Sequence, residues 1–160
     1  MITQQRLMEL LNYDAENGIF IRKIKTAQRH RIGDAAGHDQ HGYLKVMLDG
    51  KWYACHKLVW LYVHGKWPQH DIDHIDRNRK NNRITNLRDV TRTINLQNQI
   101  SARKDSSTGL RGVSPHQGKF RAFINANGKR INLGSGYLTP EDAYVAYLTA
   151  KHKYHPDCHL

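Results

Sequence analysis

Cysteine and long apolar runs are scarce in this chain. Only Cys55 and Cys158 occur among the 160 residues, and two distant cysteines without a signal sequence favour free thiols over a disulfide. No apolar run approaches the roughly 20 residues that cross a bilayer. The N-terminus lacks the basic flank, apolar stretch and cleavage site of a signal peptide. We therefore expect a cytoplasmic protein with no membrane-spanning segment.

Acidic residues are also few. The sequence has 14 Asp and Glu against 25 Lys and Arg, which gives a formal net charge of +11. A surplus of this size favours nucleic acid as a partner, and less often an anionic membrane. A solvated basic surface is the alternative interpretation. With 160 residues, the chain suits one medium domain or two small ones.

The segment from 72 to 98 concentrates the residue types that hydrolyse phosphodiesters. Asp73 and Asn95 offer the hard oxygen ligands that magnesium prefers, and His74 can accept a proton from water near neutral pH. Asn86 can tie the loop after His74 to the strand and fix the imidazole ring. Arg92 shares a helix face with Asn95 and can hold a phosphate. An isolated Asp-His pair would instead suggest a turn-capping acid beside a surface histidine.

Cations surround these residues. Eight Lys or Arg lie between residues 77 and 104, against the single acid Asp89. A metal-binding cluster inside such a run predicts a polyanionic substrate, because the cations attract phosphates over long range. The candidate DNA-binding residues of this run are Arg77, Arg79, Lys80, Arg83 and Arg88.

Local signals place this segment after a hairpin and a buried helix. An Asp-Gly pair at 49–50 between apolar runs predicts a β-hairpin, and residues 56–64 predict a helix that Gly65 ends. Short strands at 72–75 and 87–90 flank a loop, and Thr91 caps a helix that reaches about residue 100. Earlier in the chain we expect a helix over 3–12, a strand over 19–21 and mostly loop from 23 to 40.

These residues resemble the HNH motif of phage and intron homing endonucleases, over roughly residues 5–100. The residues that carry the resemblance are Asp73-His74-Ile75-Asp76, Asn81-Asn82, Asn86-Leu87-Arg88, residues 91–95 and the lead-in residues 56–59. The resemblance implies a ββα-metal fold, with His74 as general base, Asp73 and Asn95 as metal ligands and Asn86 as the structural middle position. The third motif position, often His, is Asn95 here, which favours Mg²⁺ or Mn²⁺ over zinc. The resemblance to this family also implies that the protein acts in a bacterial or phage-infected host cell.

The last third of the chain predicts a second small module. Residues 101–108 are small, polar and charged, which suits a linker between a nuclease domain at 1–100 and a second domain at 109–160. Strands at 109–114, 119–126 and 129–133, with an Asn-Gly turn at 127–128, predict an antiparallel three-stranded sheet. A helix capped by Thr139 presents small residues to the apolar sheet face. The fold class predicted for the whole chain is α+β.

This module resembles the ethylene-response-factor type of DNA-binding domain, over about residues 108–155. The resemblance rests on Leu110-Arg111-Gly112-Val113, Lys119-Phe120-Arg121-Ala122, Gly128-Lys129-Arg130-Ile131 and the Ala-rich helix that follows. It implies that the sheet enters a major groove, where Arg can pair with guanine edges. The candidate DNA-binding residues are Arg111, Lys119, Arg121, Lys129 and Arg130, with Phe123 available for sugar or thymine-methyl contacts.

The leading prediction is a metal-dependent endonuclease that nicks or cuts double-stranded DNA. One alternative is a catalytically inactive DNA-binding regulator on the same scaffold, and another is a basic RNA-binding or structural protein. The C-terminal residues His152, His155, Cys158 and His159 form a short cluster without a CxxC pair, which does not favour structural zinc. The sequence does not identify a protein partner, and a monomer and a homodimer both stay open.

Overall fold

The computed structural model describes residues 1–156, which form two compact units divided between Asn95 and Leu96. Both units combine helices with small antiparallel sheets. This mixture confirms the predicted α+β class. Within residues 1–156, no helix is both long enough and apolar enough to cross a bilayer.

The first unit begins with a short helix and a three-stranded sheet. Its elements are α1 (Gln4–Leu10), β1 (Leu11–Asp14), β2 (Ile19–Arg22) and β3 (Ala35–Ala36). Thr3 caps α1 by accepting from the amide of Arg6. The helix predicted to reach residue 12 ends earlier, because Leu11 is fully buried and pairs with Arg22 in the sheet. Burial and strand pairing override the local helical preference at that residue.

A second three-stranded sheet leads into a buried helix. Its elements are β4 (His38–Gln40), β5 (Tyr43–Leu48) and β6 (Lys51–Ala54), followed by α2 (Cys55–His64). Asp49 and Gly50 adopt φ angles of 46° and 76°, as a tight hairpin turn requires, so the predicted hairpin is confirmed. Gly65 ends α2 in the left-handed region. The prediction of mostly loop from 23 to 40 missed β3 and β4, which are short and depend on partner strands.

The third part of this unit is a strand pair followed by a helix. Its elements are β7 (Asp71–His74), one 3-10 turn (Ile84–Asn86), β8 (Leu87–Val90) and the first part of α3 (Arg92–Asn98), whose residues from Leu96 onward belong to the second unit. The strands are antiparallel, with Asp73 opposite Arg88 and His74 opposite Leu87. Ile72 and Leu87 join the apolar core formed by α1, α2 and the sheets. The core therefore anchors the strand that carries Asp73 and His74.

The second unit is a three-stranded antiparallel sheet on one helix. Its elements are β9 (Val113–His116), the central strand β10 (Lys119–Ala126), β11 (Lys129–Tyr137) and α4 (Pro140–Tyr154). Alternate residues of β10 are buried, among them Ala122 and Ile124, and they face Ala143, Tyr147 and Ala150 of α4. Small helix residues let α4 lie close to the sheet. The opposite sheet face is left to solvent.

The segment predicted as a linker, 101–108, lies inside the second unit. Ser101 forms a β-bridge with Leu110. The fully buried Lys151 donates from Nζ to the carbonyl of Gln99 at 2.8 Å. The chain is therefore fixed just before this segment by α4, through Gln99, and the segment is closed at its base by the bridge between Ser101 and Leu110.

Candidate active site

A polar network shapes the loop that follows β7. Asn86 accepts from the amide of Asp76 through Oδ1 at 3.0 Å, and its Nδ2 donates to the Asp76 carboxylate at 2.9 Å and to the carbonyl of Asn81 at 2.8 Å. The Asp76 carboxylate also accepts from the side chain of Asn81 and the amide of Asn78. These bonds lower the pKa of Asp76 against the opposing effect of burial, which is the larger single influence. Asn86 thus ties the loop to β8, as the sequence suggested.

His74 stands at the end of β7 with its ring buried. Its Nε2 lies 3.0 Å from Oδ1 of Asn82, a side chain with only 1% exposure. Asn82 therefore hydrogen-bonds this ring, a task that the sequence had suggested for Asn86. The rings of Tyr43 and His56 also pack beside His74, with centroids 6.2 and 5.3 Å away. Burial, and secondarily the charge of His74, lowers the pKa of His56 to about 3, so His56 is a neutral packing group.

The N-terminal hairpin holds Asn82 in place. The hydroxyl of Tyr13 donates to the carbonyl of Asn82 at 2.9 Å and accepts from the amide of Ile84 at 3.0 Å. Gly18 approaches the same loop so closely that a Cβ there would lie 2.5 Å from the Arg83 amide nitrogen. Sequence reasoning did not assign a role to Asn82, Tyr13 or Gly18. The Asn-Asn pair at 81–82 was the one available signal.

Asp73 is engaged by a cation from the facing strand. Its Oδ2 accepts from Arg88 Nε at 3.0 Å and from Arg88 Nη2 at 2.8 Å, and the Asp73 side chain is 9% exposed. The two residues are directly opposite in the strand register, where opposite charges stabilise a pair. Arg88, predicted to bind DNA, therefore neutralises the carboxylate predicted to bind metal.

Asn95 and Arg92 project from α3 toward the start of β7. Asn95 Nδ2 and Arg92 Nη1 each lie 3.4 Å from Oδ2 of Asp71. The Arg92 side chain is 80% exposed, so it remains available to an incoming phosphate. Sequence reasoning missed Asp71, whose role depends on where α3 begins relative to β7.

Two carboxylates share one side of β7, the predicted metal ligand Asp73 and the unpredicted Asp71. Asp71 and Asp73 are two residues apart on β7, so their side chains leave the same face about 7 Å apart. Asn95 reaches Asp71 through Nδ2, which leaves its amide oxygen for a cation. Among residues 1–156, no group of three or more His, Cys, Asp and Glu could hold a metal ion. One carboxylate and one amide oxygen fit magnesium, which keeps several waters, and do not fit a structural zinc site.

The other predicted DNA-binding cations of this unit have varied surroundings. The guanidinium of Arg79 stacks over the ring of Tyr43 at 4.8 Å. Lys80 forms an ion pair with Asp39. Arg83 donates from Nε to the carbonyl of Glu16, and Arg77 occupies a left-handed turn directly after the Asp-His pair, with φ of 63°.

In the second unit, Lys119, Arg121 and Arg130 lie on the solvent-facing side of the sheet. Lys129 pairs with the buried Ala126 at the strand end, so its side chain leaves the other side. Lys119, Arg121, Lys129 and Arg130 are exposed. Arg121 donates from Nε to the hydroxyl of Ser114 at 2.9 Å, and Arg130 stacks over Phe123 at 4.4 Å. Arg111 differs, because its guanidinium lies within 3.4 Å of the Leu96 and Ser101 carbonyls and the Gln99 side chain.

His155 and Cys55, outside the site, have packing roles. Burial lowers the pKa of His155, whose Nε2 lies 3.0 Å from the carbonyl of Asn125. Cys55 is a free, buried thiol, and burial raises its pKa to about 12. Two members of the C-terminal His and Cys cluster, Cys158 and His159, lie outside the described residues.

Comparison with known proteins finds a family match for part of the chain. Residues 53–97, from β6 through most of α3, match the family model of HNH endonucleases. The predicted HNH endonuclease module is confirmed in this part of the chain.

The chain is also similar in sequence to the DNA endonuclease I-HmuI of Bacillus phage SP01. The two sequences are 33% identical over 97 residues, which cover 56% of this chain and 52% of the relative. The chain therefore spans about half the length of this relative. No solved structure matches the chain convincingly. The resemblance of the second unit to ethylene-response-factor domains stays a prediction.

Proposed function

We propose that this protein is a divalent-metal-dependent endonuclease that hydrolyses phosphodiester bonds in double-stranded DNA, of the phage homing type. The observation that carries the proposal is the coincidence of the HNH match at 53–97 with the β7, β8 and α3 geometry. That segment carries the carboxylates of Asp71 and Asp73 on one face of β7, the buried His74 next to them in the chain, and an exposed Arg92. The net charge of +11 supports a polyanionic substrate.

A phosphodiester resists hydrolysis because the nucleophile must approach an anion and the leaving oxygen must accept charge. Asp73 and Asn95 would hold a magnesium or manganese ion, which supplies charge neutralisation at the phosphate when bound. Arg92 adds a positive charge on the same side and can donate to a phosphate oxygen. Arg88 sets the position of the Asp73 carboxylate before substrate arrives.

His74 acts as the general base in this proposal. When the Asn82 oxygen accepts from Nε2–H, the lone pair of the neutral ring resides on Nδ1, which can take a proton from water. Asn86 keeps the loop after His74 in one conformation through Asp76. Its role is therefore to position the loop.

The second unit provides target binding in this proposal. Lys119, Arg121 and Arg130 place positive charge on one face of a twisted antiparallel sheet, and Lys129 adds a further charge beside the 127–128 turn. A sheet of this kind can enter a major groove, where Arg pairs with guanine edges. Arg111 already donates hydrogen bonds to the carbonyl groups of Ser101 and Leu96. We therefore assign base contacts to Arg121 and Arg130.

The test is a plasmid-cleavage assay with the full chain and magnesium. His74→Ala should abolish cleavage while duplex binding persists, since the base is lost and the cations remain. His64→Ala removes an exposed histidine at the end of α2 and is the matched control, which should cleave normally. Undiminished cleavage by His74→Ala would contradict the assignment of the base.

The Asp73–Arg88 ion pair favours a second candidate, a regulator that binds DNA without cutting it. A carboxylate already neutralised by an arginine has less electrostatic attraction for a metal ion. Calorimetric titration with Mn²⁺ separates the two functions. Binding that is lost in Asp73→Asn supports the nuclease, whereas equal and negligible binding in both proteins supports the regulator.

A further inference from the structure

The connection between β2 and β3, residues 23–34, is a strongly cationic loop that the proposed active site does not use. We refer to it as the basic loop. It contains four Lys or Arg and a single acid, Asp34. Lys25, Arg29 and Arg31 are all exposed.

Internal hydrogen bonds order this loop. Arg22, at its base, is 7% exposed and donates from Nη1 to the hydroxyl of Thr26 at 3.0 Å. That hydroxyl lies 2.8 Å from Nδ1 of His30. The Thr26 hydroxyl can donate to Nδ1 of His30 while its oxygen accepts from Arg22. The chain Arg22–Thr26–His30 thus fixes the inside of the loop.

The two ends of the loop are also closed. The amide of Arg22 donates to the carbonyl of Asp34, and the amide of Gly33 donates back to the carbonyl of Arg22, each at 2.9 Å. The Asp34 carboxylate accepts from the Arg31 amide at 3.0 Å. Lys23 is occupied separately, because its Nζ donates to the carbonyl of Met8. An ordered loop loses little conformational entropy on binding.

The exposed cations of the loop differ from those near the HNH motif. Lys80, Arg88 and Arg92 all form ion pairs with acids of the same unit. Among residues 1–156, the side chains of Lys25, Arg29 and Arg31 have neither an ion-pair nor a hydrogen-bond partner. Their positive charge is therefore not held by any acid in the described part of the chain.

We propose that the basic loop is an additional DNA-binding element, in which Lys25, Arg29 and Arg31 contact backbone phosphates of the duplex away from the cleaved bond. This inference rests on the proposed nuclease function. The exposed apolar residues of the loop, Ile24 and Ile32, are two isolated side chains. An interfacial membrane segment presents a continuous apolar face instead, so the loop fits a phosphate backbone better than a lipid surface.

The experiment measures duplex affinity against salt concentration with the full chain, in EDTA so that no cleavage occurs. The variant Lys25→Gln/Arg29→Gln/Arg31→Gln changes only exposed side chains and leaves Arg22 and Thr26 intact. The slope of log affinity against log salt should become shallower by about 0.9 for each phosphate that the loop no longer neutralises, so by up to about 2.7. A charge-preserving variant, Arg29→Lys/Arg31→Lys, should keep the original slope.

The matched control removes the same charge from the same unit. Lys51, Lys57 and Lys66 are also exposed or partly exposed, and their replacement by Gln should leave the slope unchanged. Equal changes in both triple variants would overturn the proposal, since they would reflect net charge alone. An unchanged slope in the loop variant would also overturn the proposal. If the loop variant kept its DNA slope but lost binding to phosphatidylserine vesicles, the loop would bind lipid and the proposal would be wrong.

The result of this salt-dependence experiment can be distinguished from the result of the cleavage test of the nuclease proposal. A shallower slope in the loop variant of a protein that never cleaves plasmid supports the loop and contradicts the nuclease. Normal magnesium-dependent cleavage with an unaltered slope supports the nuclease and contradicts the loop.

Discussion

Nε2 of His74 lies 3.0 Å from Oδ1 of Asn82, and both side chains are buried. This hydrogen bond joins the proposed base to a loop residue eight positions later in the chain. A hydrogen bond to one ring nitrogen sets the tautomer and the orientation of an imidazole. Asn82 is therefore a positioning residue for His74.

We predict that Asn82→Leu lowers the single-turnover cleavage rate by about 10- to 100-fold, the usual effect of removing a supporting hydrogen bond at such a site. Leu keeps the volume but cannot accept from Nε2–H. Duplex affinity should stay unchanged, because no exposed cation is altered. Rapid-quench cleavage and equilibrium binding provide the two measurements.

Asn82→Asp is the matched variant, because it retains an acceptor oxygen at the same position. It should recover much of the rate that Asn82→Leu forfeits. Equal reductions in both variants, with similar melting temperatures, would show that Asn82 serves the fold and does not orient the ring.

Gly18 and Gly50 offer a direct comparison of crowding at similar backbone angles. Both have positive φ, 70° and 76°, but a Cβ at Gly18 would approach the Asn82 carbonyl carbon to 2.8 Å, whereas nothing lies within 4 Å of one at Gly50. Gly50→Ala should cost about 1 kcal/mol from its left-handed backbone. Gly18→Ala should cost about 1–3 kcal/mol more through the forced shift of the loop. Urea unfolding of both variants measures the difference, and equal costs would exclude the clash.

Acid should destabilise the first unit through His56. Its folded pKa of about 3 lies below the unfolded value, so the unfolded chain binds the proton first as the pH falls. The stabilisation is present above about pH 6.5 and is lost below it, by about 2 kcal/mol near pH 5. His56→Phe stays neutral and should lose about 2 kcal/mol less between pH 7 and 5 in urea titrations. The same loss in both proteins would contradict this origin.

The thiol of Cys55 should be inert in the native protein. It is 3% exposed, and burial raises its pKa to about 12, so the nucleophilic thiolate is scarce. In a Cys158→Ser chain, iodoacetamide should label Cys55 quickly in guanidinium chloride and barely at all without it. Rapid labelling of the native chain, followed by mass spectrometry, would argue against this burial.

The elements specified by neighbouring residues were predictable from sequence. The Asp49-Gly50 turn depends on backbone angles that few residues adopt, and the structure has the hairpin there. The helix after Thr139 begins with a cap, a proline and two acids, and α4 starts at Pro140. Such signals act within a few residues, so the rest of the fold hardly alters them.

The partners of the candidate site were less predictable, because they depend on strand register and on distant loops. Asp71 is reached from α3, and Arg88 faces Asp73 across a strand pair. Sequence spacing identified Arg88 and Arg111 as cations but could not show that both would be bound by groups of the protein. Asn82 is oriented by Tyr13, a residue 69 positions earlier.

The hydroxyl of Tyr13 makes the nuclease loop depend on a hairpin outside the family match at 53–97. A chimaera that transplants only the matched segment into a new host would leave the carbonyl of Asn82 and the amide of Ile84 without this bridge. The smallest portable form of the proposed nuclease module therefore begins before Tyr13, with the strand β1 that carries its side chain.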